Sequence, residues 1–231
     1  MNLASELNFI MTEVVPGLNE GFWVSVRIII PSALFGLLLG ILVGAVRVFG
    51  SSWMVRIADV YVSIFRGTPL VVQLFFWYFA LPYAAIGDFR IVLDPVPASI
   101  VGFALCSGAY HSEYIRGGLN SIKGGQLKAA YALGMTPLTT IRHVILPQAF
   151  RRALPGCGNE IIYLIKYSSL ASIITVNELT GVGRGIAKAT WKNTEVFLVV
   201  GIYYLVLVSV ATILLRKWER KLHIPGFGKA A

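Results

Sequence analysis

The sequence predicts an all-α integral membrane protein with about five transmembrane helices. Of its 231 residues, 56% are hydrophobic and only 13% are charged, whereas a soluble domain carries about 25% charged residues. The mean hydropathy is +0.73. A helix needs about 20 mostly apolar residues to cross a bilayer, so a chain of this length has room for about five such helices and their connections.

Five apolar stretches are the predicted spans, and they define the domain organisation. In chain order they are Phe22–Val46, Ile57–Pro82, Val96–Tyr114, Leu154–Val176 and Val196–Leu215. We expect residues 1–21 to form an external N-terminal segment, residues 22–219 the transmembrane domain, and residues 220–231 a cytoplasmic tail. The segment 116–147, between spans 3 and 4, is expected to lie in the cytoplasm.

The bases between the spans set this orientation. Most of them lie between spans 1 and 2, between spans 3 and 4, and after span 5, which are on one side of a five-span chain. They are Arg47, Arg56, Arg116, Lys123, Lys128, Arg142, Arg151, Arg152, Arg216, Lys217, Arg220, Lys221 and Lys229. Cytoplasmic connections are enriched in Lys and Arg, so the N-terminus is expected outside and the C-terminus inside. Arg184, Lys188 and Lys192, between spans 4 and 5, argue the other way. The net charge of +9 therefore indicates topology and contact with anionic lipid, not nucleic-acid binding.

Polar residues in spans 2 and 3 are expected to have structural roles. Arg66 and Pro69, in the sequence FRGTPLVVQLFF, are expected to bend or interrupt span 2, because proline lacks a backbone donor and clashes one turn back. Glu113 and Arg116 are three residues apart on a predicted helix, a spacing at which opposite charges pair. His111, beside them, is expected to be a hydrogen-bonded interior histidine.

The basic stretch KAAYALGMTPLTTIRHVILP, residues 128–147, predicts two short helices in the cytoplasm. Thr136 and Pro137 are expected at the N-cap and first position of the second helix, Gly134 at the joint, and Pro147 at the end of the segment. Such a pair of helices could dock onto a partner, with Gly134 permitting close approach of another backbone. It could instead lie on anionic lipid as an amphipathic helix.

Polar side chains within spans are costly and usually face a cavity or a partner. On this ground Gln73, Asn159, Lys166, Ser168 and Ser169 are candidate residues of a substrate pathway. For Lys166 two structural alternatives remain open, an ion pair with an acid such as Glu160 and a snorkelling position at the interface.

The sequence contains none of the motifs GxxxxGK[ST], GxSxG and HExxH, so we expect no catalytic residues, metal or cofactor in this chain. The three histidines are scattered, and Cys106 and Cys157 lack metal-ligand spacing.

The order of residues in the basic stretch resembles the EAA loop of the membrane subunits of ABC importers. That pattern is Glu-Ala-Ala, three residues, Gly, nine residues, Ile, one residue, Leu-Pro. Here the matching residues are Lys128, Ala129, Ala130, Gly134, Val144, Leu146 and Pro147. Lys128 replaces the Glu and reverses its charge, and Val144 replaces the Ile.

Further motifs are similar to those of one branch of this family, the polar amino acid permeases. They are FRGTPLVVQLFF in span 2, EYIRGGLNSIKGGQ at Glu113–Gln126, and VILPQAFRRALPGCGNEIIYLIKYSSLASIITVNELTG at Val144–Gly181. The resemblance covers about residues 18–220. The branch usually has Lys-Asp-Thr-Ser-Leu where this chain has Lys166-Tyr167-Ser168-Ser169-Leu170, so Tyr167 replaces a carboxylate.

The resemblance implies the fold of a type I ABC importer permease in the bacterial inner membrane. Two permeases, identical or related, would pair around a pathway, and two ATPase subunits would hydrolyse ATP with Mg²⁺. An external binding protein would deliver the amino acid and largely set its identity. Lys128, Ala129, Ala130, Gly134, Leu146 and Pro147 would couple the permease to the ATPase. From the residues alone, an ion-coupled secondary amino acid transporter remains the alternative.

Overall fold

The computed structural model describes residues 3–84, 90–122 and 124–222, and within them every regular element is helical. Ten α-helices follow one another: α1 (Leu3–Phe9), α2 (Val15–Phe49), α3 (Ser52–Gly67), α4 (Leu70–Phe75), α5 (Pro95–Asn120), α6 (Gly124–Ala132), α7 (Pro137–Thr140), α8 (Leu146–Tyr167), α9 (Leu179–Thr190) and α10 (Asn193–Leu222). Lys123 and Lys229 of the orientation argument lie outside the described residues, as does most of the predicted tail.

Span 1 is longer than the sequence predicts. Helix α2 has 35 residues and contains Pro31, and a π-helical segment, Ile10–Val14, connects α1 to it without a break in the helix. The helix that results runs from Ala4 to Phe49. Most of the predicted external segment, residues 1–21, is therefore part of this helix.

Span 2 is broken where the sequence predicts, at Thr68 and Pro69, between α3 and α4. Pro69 is extended, with ψ of 135°, and caps α4. The Gln73 side-chain amide donates to the Thr68 carbonyl at 3.1 Å and to its hydroxyl at 2.9 Å. A backbone carbonyl freed by a helix break needs such a partner inside a membrane, so Gln73 stabilises the break.

Spans 3, 4 and 5 correspond to α5, α8 and α10. The α8 helix begins at Leu146 and accommodates Pro155 in its interior. It is followed by a 3₁₀ segment, Ser168–Ile174, that ends at Thr175 in the left-handed region. By length and apolar composition, two helices in the described chain can cross a membrane, Ala4–Phe49 and Asn193–Leu222, and the broken pair makes a third. Helices α5 and α8 carry the polar side chains described below.

The chain forms two compact units. The first comprises the described parts of Met1–Leu34, Thr68–Ala104 and Ile162–Ala211. One of its cores includes Ile28, Leu74, Phe103, Leu164 and Ile174. A second core includes Leu18, Leu179, Val196 and Val200.

The second unit comprises the described parts of Phe35–Gly67, Leu105–Ile161 and Thr212–Ala231. One of its cores includes Val43, Val62 and Ala109. The other is centred on Leu119, Ile145 and Ala149.

Candidate functional site

The basic stretch between spans 3 and 4 forms a helical elbow, defined here as residues 124–145. Helix α6 ends in a Schellman motif around Gly134, whose φ is +76°. The Met135 N–H donates to the Ala130 carbonyl at 3.1 Å, and the Gly134 N–H donates to the Tyr131 carbonyl at 2.9 Å. A left-handed residue at this position is usually glycine. A Cβ at Gly134 would meet nothing within 4 Å, so within this chain the glycine is required for the turn.

The second arm of the elbow begins as the sequence predicts. Thr136 is the N-cap of α7, its hydroxyl accepts a bond from the Thr139 N–H at 3.3 Å, and Pro137 follows it. The prediction that Pro147 ends the segment is wrong. Residues Ile141–Ile145 form a π-helical segment with helical backbone at both ends, so the helix runs from α7 into α8. Pro147 follows this π-helical segment, whose wider turn accommodates the proline without a break in the helix.

The elbow has a buried face and an exposed face. Its buried face packs Leu127, Ile141 and Ile145 against Leu119 at the end of α5. Ala130 is only 4% exposed, so it belongs to this face and not to the surface predicted for a partner.

The exposed face is apolar around the turn. Leu133 is 82% exposed, Leu138 is 76% exposed, and Tyr131 is also exposed. Lys128 and Ala129 lie on the exposed surface of α6, as do Leu146 and Pro147 at the start of α8. The sequence indicated the elbow but not which of its leucines point outwards.

A cluster of charged side chains centred on Glu113 lies in the second unit, as does the elbow. Glu113 accepts Arg116 at 2.7 Å, which confirms the predicted pair. It also accepts Arg66 at 2.8 Å and Arg47 at 3.0 Å. Arg47 in turn contacts Asp59 at 2.7 Å. Sequence reasoning missed the roles of Arg47 and Arg66, because both are far from Glu113 in the chain. The cluster connects α2, α3 and α5.

The pathway candidates differ in what their side chains do. Gln73 and Ser168 are buried. Gln73 stabilises the break in span 2, and the Ser168 hydroxyl donates to the Ile165 carbonyl at 2.8 Å. The half-buried Ser169 donates to the Lys166 carbonyl at 2.7 Å. Lys166 is exposed, and its ammonium lies 4.2 Å from the centre of the Tyr163 ring. Asn159 is exposed on α8.

His111 is fully buried, as expected. Its Nδ1 lies 2.8 Å from the Ser107 carbonyl and 3.0 Å from the Ser107 hydroxyl. Within the described residues, no three histidine, cysteine or acidic side chains form a group that could hold a metal ion.

The fold is that of the membrane-spanning permeases of ABC importers. A crystal structure of an amino acid ABC transporter with histidines superposes with a TM-score of 0.84 at 28% identity, and the match covers 96% of this chain and 99% of that one. The family model described as the binding-protein-dependent transport system inner membrane component matches residues 36–224. The chain belongs to this family.

Two relatives match along nearly the whole chain. The glutamine transport system permease protein GlnP of Escherichia coli (strain K12) is 41% identical over 210 residues, covering 91% of this chain and 94% of that protein. The arginine transport system permease protein ArtQ of Bacillus subtilis (strain 168) is 38% identical over 208 residues, covering 90% and 93%. This chain is therefore the transport subunit of an ABC importer, in which a separate subunit hydrolyses ATP. These findings favour the importer over an ion-coupled secondary transporter.

Proposed function

We propose that the chain imports a polar amino acid across the bacterial inner membrane, with its N-terminus outside and its C-terminus in the cytoplasm. It would pair with a second permease, the same or a related chain. Two ATPase subunits using ATP and Mg²⁺ would drive it, and an external binding protein would supply the amino acid. The matched relatives that transport glutamine and arginine support this substrate class.

The observation that carries the proposal is the exposed apolar surface of the elbow. Leu133 and Leu138 flank the turn at Gly134 and expose most of their side chains. Exposed apolar side chains at a structured turn between basic residues are typical of a protein contact, where apolar anchors carry most of the binding energy. We assign this surface to the ATPase.

The elbow is built to transmit motion and not to absorb it. Its buried face is fixed to the end of α5 through Leu119 and Ile145, and its second arm continues as helix into α8. A displacement applied at Leu138 would therefore move the start of α8, whereas a flexible loop would dissipate it.

The proposed orientation requires an account of the bases between spans 4 and 5. Arg184 donates to the Ser172 carbonyl at 2.6 Å. Lys192 pairs with Glu6 at 2.8 Å and lies over the Phe9 ring. These two bases have partners within the protein. The bases of the other side thus outweigh them as determinants of topology.

Asn159 and Lys166 are the pathway candidates best placed to contact substrate. With Tyr163 they recur at helical spacing along α8, and all three are exposed. Polar side chains exposed on a membrane helix face a cavity or a partner and not lipid. An amino acid carries a carboxylate that the Lys166 ammonium could meet, and Asn159 can both donate to and accept from either end.

The coupling surface is tested by co-purifying the ATPase with the tagged chain from its native membrane in mild detergent. Leu138→Asp and Leu133→Asp place a charge in the apolar contact, and we expect each to reduce ATPase recovery at least tenfold. Gly125→Asp is the matched control, because it adds the same charge at the exposed start of α6, where a Cβ meets nothing within 4 Å. Equal recovery from all three variants would refute the assignment and favour contact of the elbow with lipid.

The substrate is tested with the assembled transporter in liposomes, supplied with its binding protein. We expect uptake of labelled glutamine or arginine that requires ATP on the side of the ATPase and exceeds leucine uptake. Uptake driven by an ion gradient without ATP would contradict the proposed mechanism. ATP-dependent uptake confined to leucine would contradict only the substrate class.

A further inference from the structure

The second unit contains an apolar groove of about 760 Å³, within the range of roughly 300–1,000 Å³ typical of ligand sites. One wall is a stripe on α2, formed by Leu37, Ile41, Ala45 and Phe49. The opposite walls come from α5, α8 and the end of α10, and they include Phe150 and Trp218. Because Phe49, Phe150 and Trp218 are each more than half exposed, the groove is open along one side.

The length of the groove matches one leaflet of a bilayer. From Leu37 to Phe49 the α2 stripe extends about 18 Å at 1.5 Å per residue, whereas half of the hydrocarbon core is about 15 Å. The end marked by Phe49 also contains the first residue of α8, Leu146, and the last lining residue of α10, Trp218. Tryptophan is enriched at the level of the lipid headgroups, which places this end of the groove at the membrane surface.

The surface end of the groove is basic. Lys217 and Lys221 lie three residues after the lining residues Leu214 and Trp218, and Arg151 lies three residues before the lining residue Leu154, so all three are on the sides of their helices that face the groove. None of these three bases has an ion pair within the part of the chain that the structure describes. Glu219 is the one acid in the final stretch of α10, RKWERKL. An apolar channel with unpaired cations at its mouth is complementary to an acyl chain carrying an anionic headgroup.

We propose that this groove binds an anionic phospholipid, with one acyl chain along the α2 stripe and its phosphate at Lys217, Lys221 and Arg151. Basic pockets between transmembrane helices bind such headgroups. This inference rests on the proposed function in one respect only, the assignment of the basic end of the groove to the cytoplasmic leaflet. The lipid would fill the space between α2 and α10, and it would support the end of α8 from which the elbow extends.

The test uses the assembled transporter in phosphatidylcholine nanodiscs that contain a minor fraction of phosphatidylglycerol. Native mass spectrometry then counts the phosphatidylglycerol molecules retained per permease. We expect retention by the unmodified protein and a loss of roughly tenfold or more in Lys217→Gln/Lys221→Gln, since each base near an anionic surface contributes about 1 kcal/mol. The matched control is Arg216→Gln/Arg220→Gln, which removes the same charge from the side of α10 that faces away from the lining residues and should retain the lipid.

A second pair of variants tests the apolar part of the site. Ala45→Phe projects a ring into the groove and should displace the lipid. Leu42→Phe changes an exposed position of α2 that does not line the groove and should leave retention unchanged. Equal retention in Lys217→Gln/Lys221→Gln and its control, or in Ala45→Phe and Leu42→Phe, would overturn the proposal. So would a disulfide between the Trp218→Cys positions of two copies in a preparation free of phosphatidylglycerol, because the groove would then be an interface between permeases.

The experiments distinguish the lipid site from the proposed ATPase contact. Loss of the lipid from Lys217→Gln/Lys221→Gln with full ATPase recovery supports the lipid site and leaves the assignment of the coupling surface unchanged. In Leu138→Asp we expect the reverse, a retained lipid and a lost ATPase. If the ATPase is recovered normally from Leu138→Asp, the coupling assignment fails while the lipid result stands.

Discussion

Two glutamates, one in each compact unit, differ in the groups that stabilise their carboxylates. Glu178, in the first unit, is 0% exposed and accepts bonds from neutral donors only. The Gly181 N–H donates to it at 2.9 Å, the Tyr204 hydroxyl at 2.8 Å and the Ser25 hydroxyl at 3.5 Å. Glu113, in the second unit, is 19% exposed in its side chain and accepts bonds from three arginines.

The difference follows from desolvation. Burial raises the pKa of the Glu178 carboxyl above its ordinary value, although the donors around it oppose the shift. Removing a carboxylate from water has a large desolvation cost. Neutral donors on α2, α9 and α10 can form hydrogen bonds to Glu178 without removing a second charge from water. Glu113 keeps contact with solvent, so a cluster of full charges can form there. Glu178 therefore fixes a packed interior, whereas Glu113 connects helix ends through long side chains that water can reach.

The largest effect that we expect comes from Glu178→Ala. It removes the acceptor of the Gly181 N–H and the nearest acceptor of the Tyr204 hydroxyl, at a cost of about 3 kcal/mol, whereas the Ser25 hydroxyl keeps the Gly21 carbonyl at 3.2 Å. For a chain of this size that corresponds to a fall of roughly 10 °C in Tm. Thermal unfolding of the purified transporter in detergent measures it. Glu178→Gln keeps one oxygen acceptor and should lose less than half as much. Equal losses in the two variants would mean that the charge of Glu178, and not its acceptor geometry, stabilises the first unit.

Glu113→Gln should have the next largest effect, about 1–2 kcal/mol, because it removes the carboxylate that three arginines share and leaves only Arg47 with an ion pair among the described residues, to Asp59. The lost ion pairs are partly exposed to solvent and are therefore screened by salt. We expect the loss in Tm to shrink when sodium chloride is raised. The loss in Glu178→Gln should not change with salt, since that site is buried. Salt dependence of the same size in both variants would remove the distinction between the two carboxylates.

Arg66→Gln should cost less than 1 kcal/mol, because its side chain is 40% exposed and an exposed ion pair contributes little. Arg66 also lies 5.2 Å from the centre of the Tyr110 ring. A double-mutant cycle with Glu113→Gln measures the coupling between the two residues, which we expect at about 0.5–1 kcal/mol. Strict additivity of the two changes in Tm would show that this contact carries no energy.

Lys192→Gln should have the smallest effect, below about 0.5 kcal/mol. It breaks one ion pair with Glu6, in which the lysine side chain is 33% exposed. No other acid contacts Lys192 within the described residues, so this variant gives the baseline for a single pair. A loss in Tm as large as that of Glu113→Gln would mean that the pair fixes the start of α1 to α10 more firmly than its exposure suggests.

Much of the fold could be predicted because its signals are local. Apolar length predicted the spans, Pro69 predicted the break in span 2, and Thr136 with Pro137 predicted the start of α7. The prediction that failed, an end of the segment at Pro147, assumed that an interior proline terminates a helix. In the structure the helical segment begins ten residues earlier, at Pro137, and the π-helical turn at Ile141–Ile145 accommodates Pro147 within it.

The sequence by itself determined the class of protein, the helices and the presence of an elbow, because hydrophobic length, proline and caps act over a few residues. Tertiary structure alone decided which side of the elbow is buried, which arginines meet Glu113, and where α2, α8 and α10 leave an apolar groove. Each of these depends on helices distant in sequence being brought together. Packing between such helices leaves no periodic pattern in the sequence of any one of them. By sequence Arg47 and Arg66 cannot be distinguished from ordinary interfacial bases, and only the packing of α5 brings Glu113 between them.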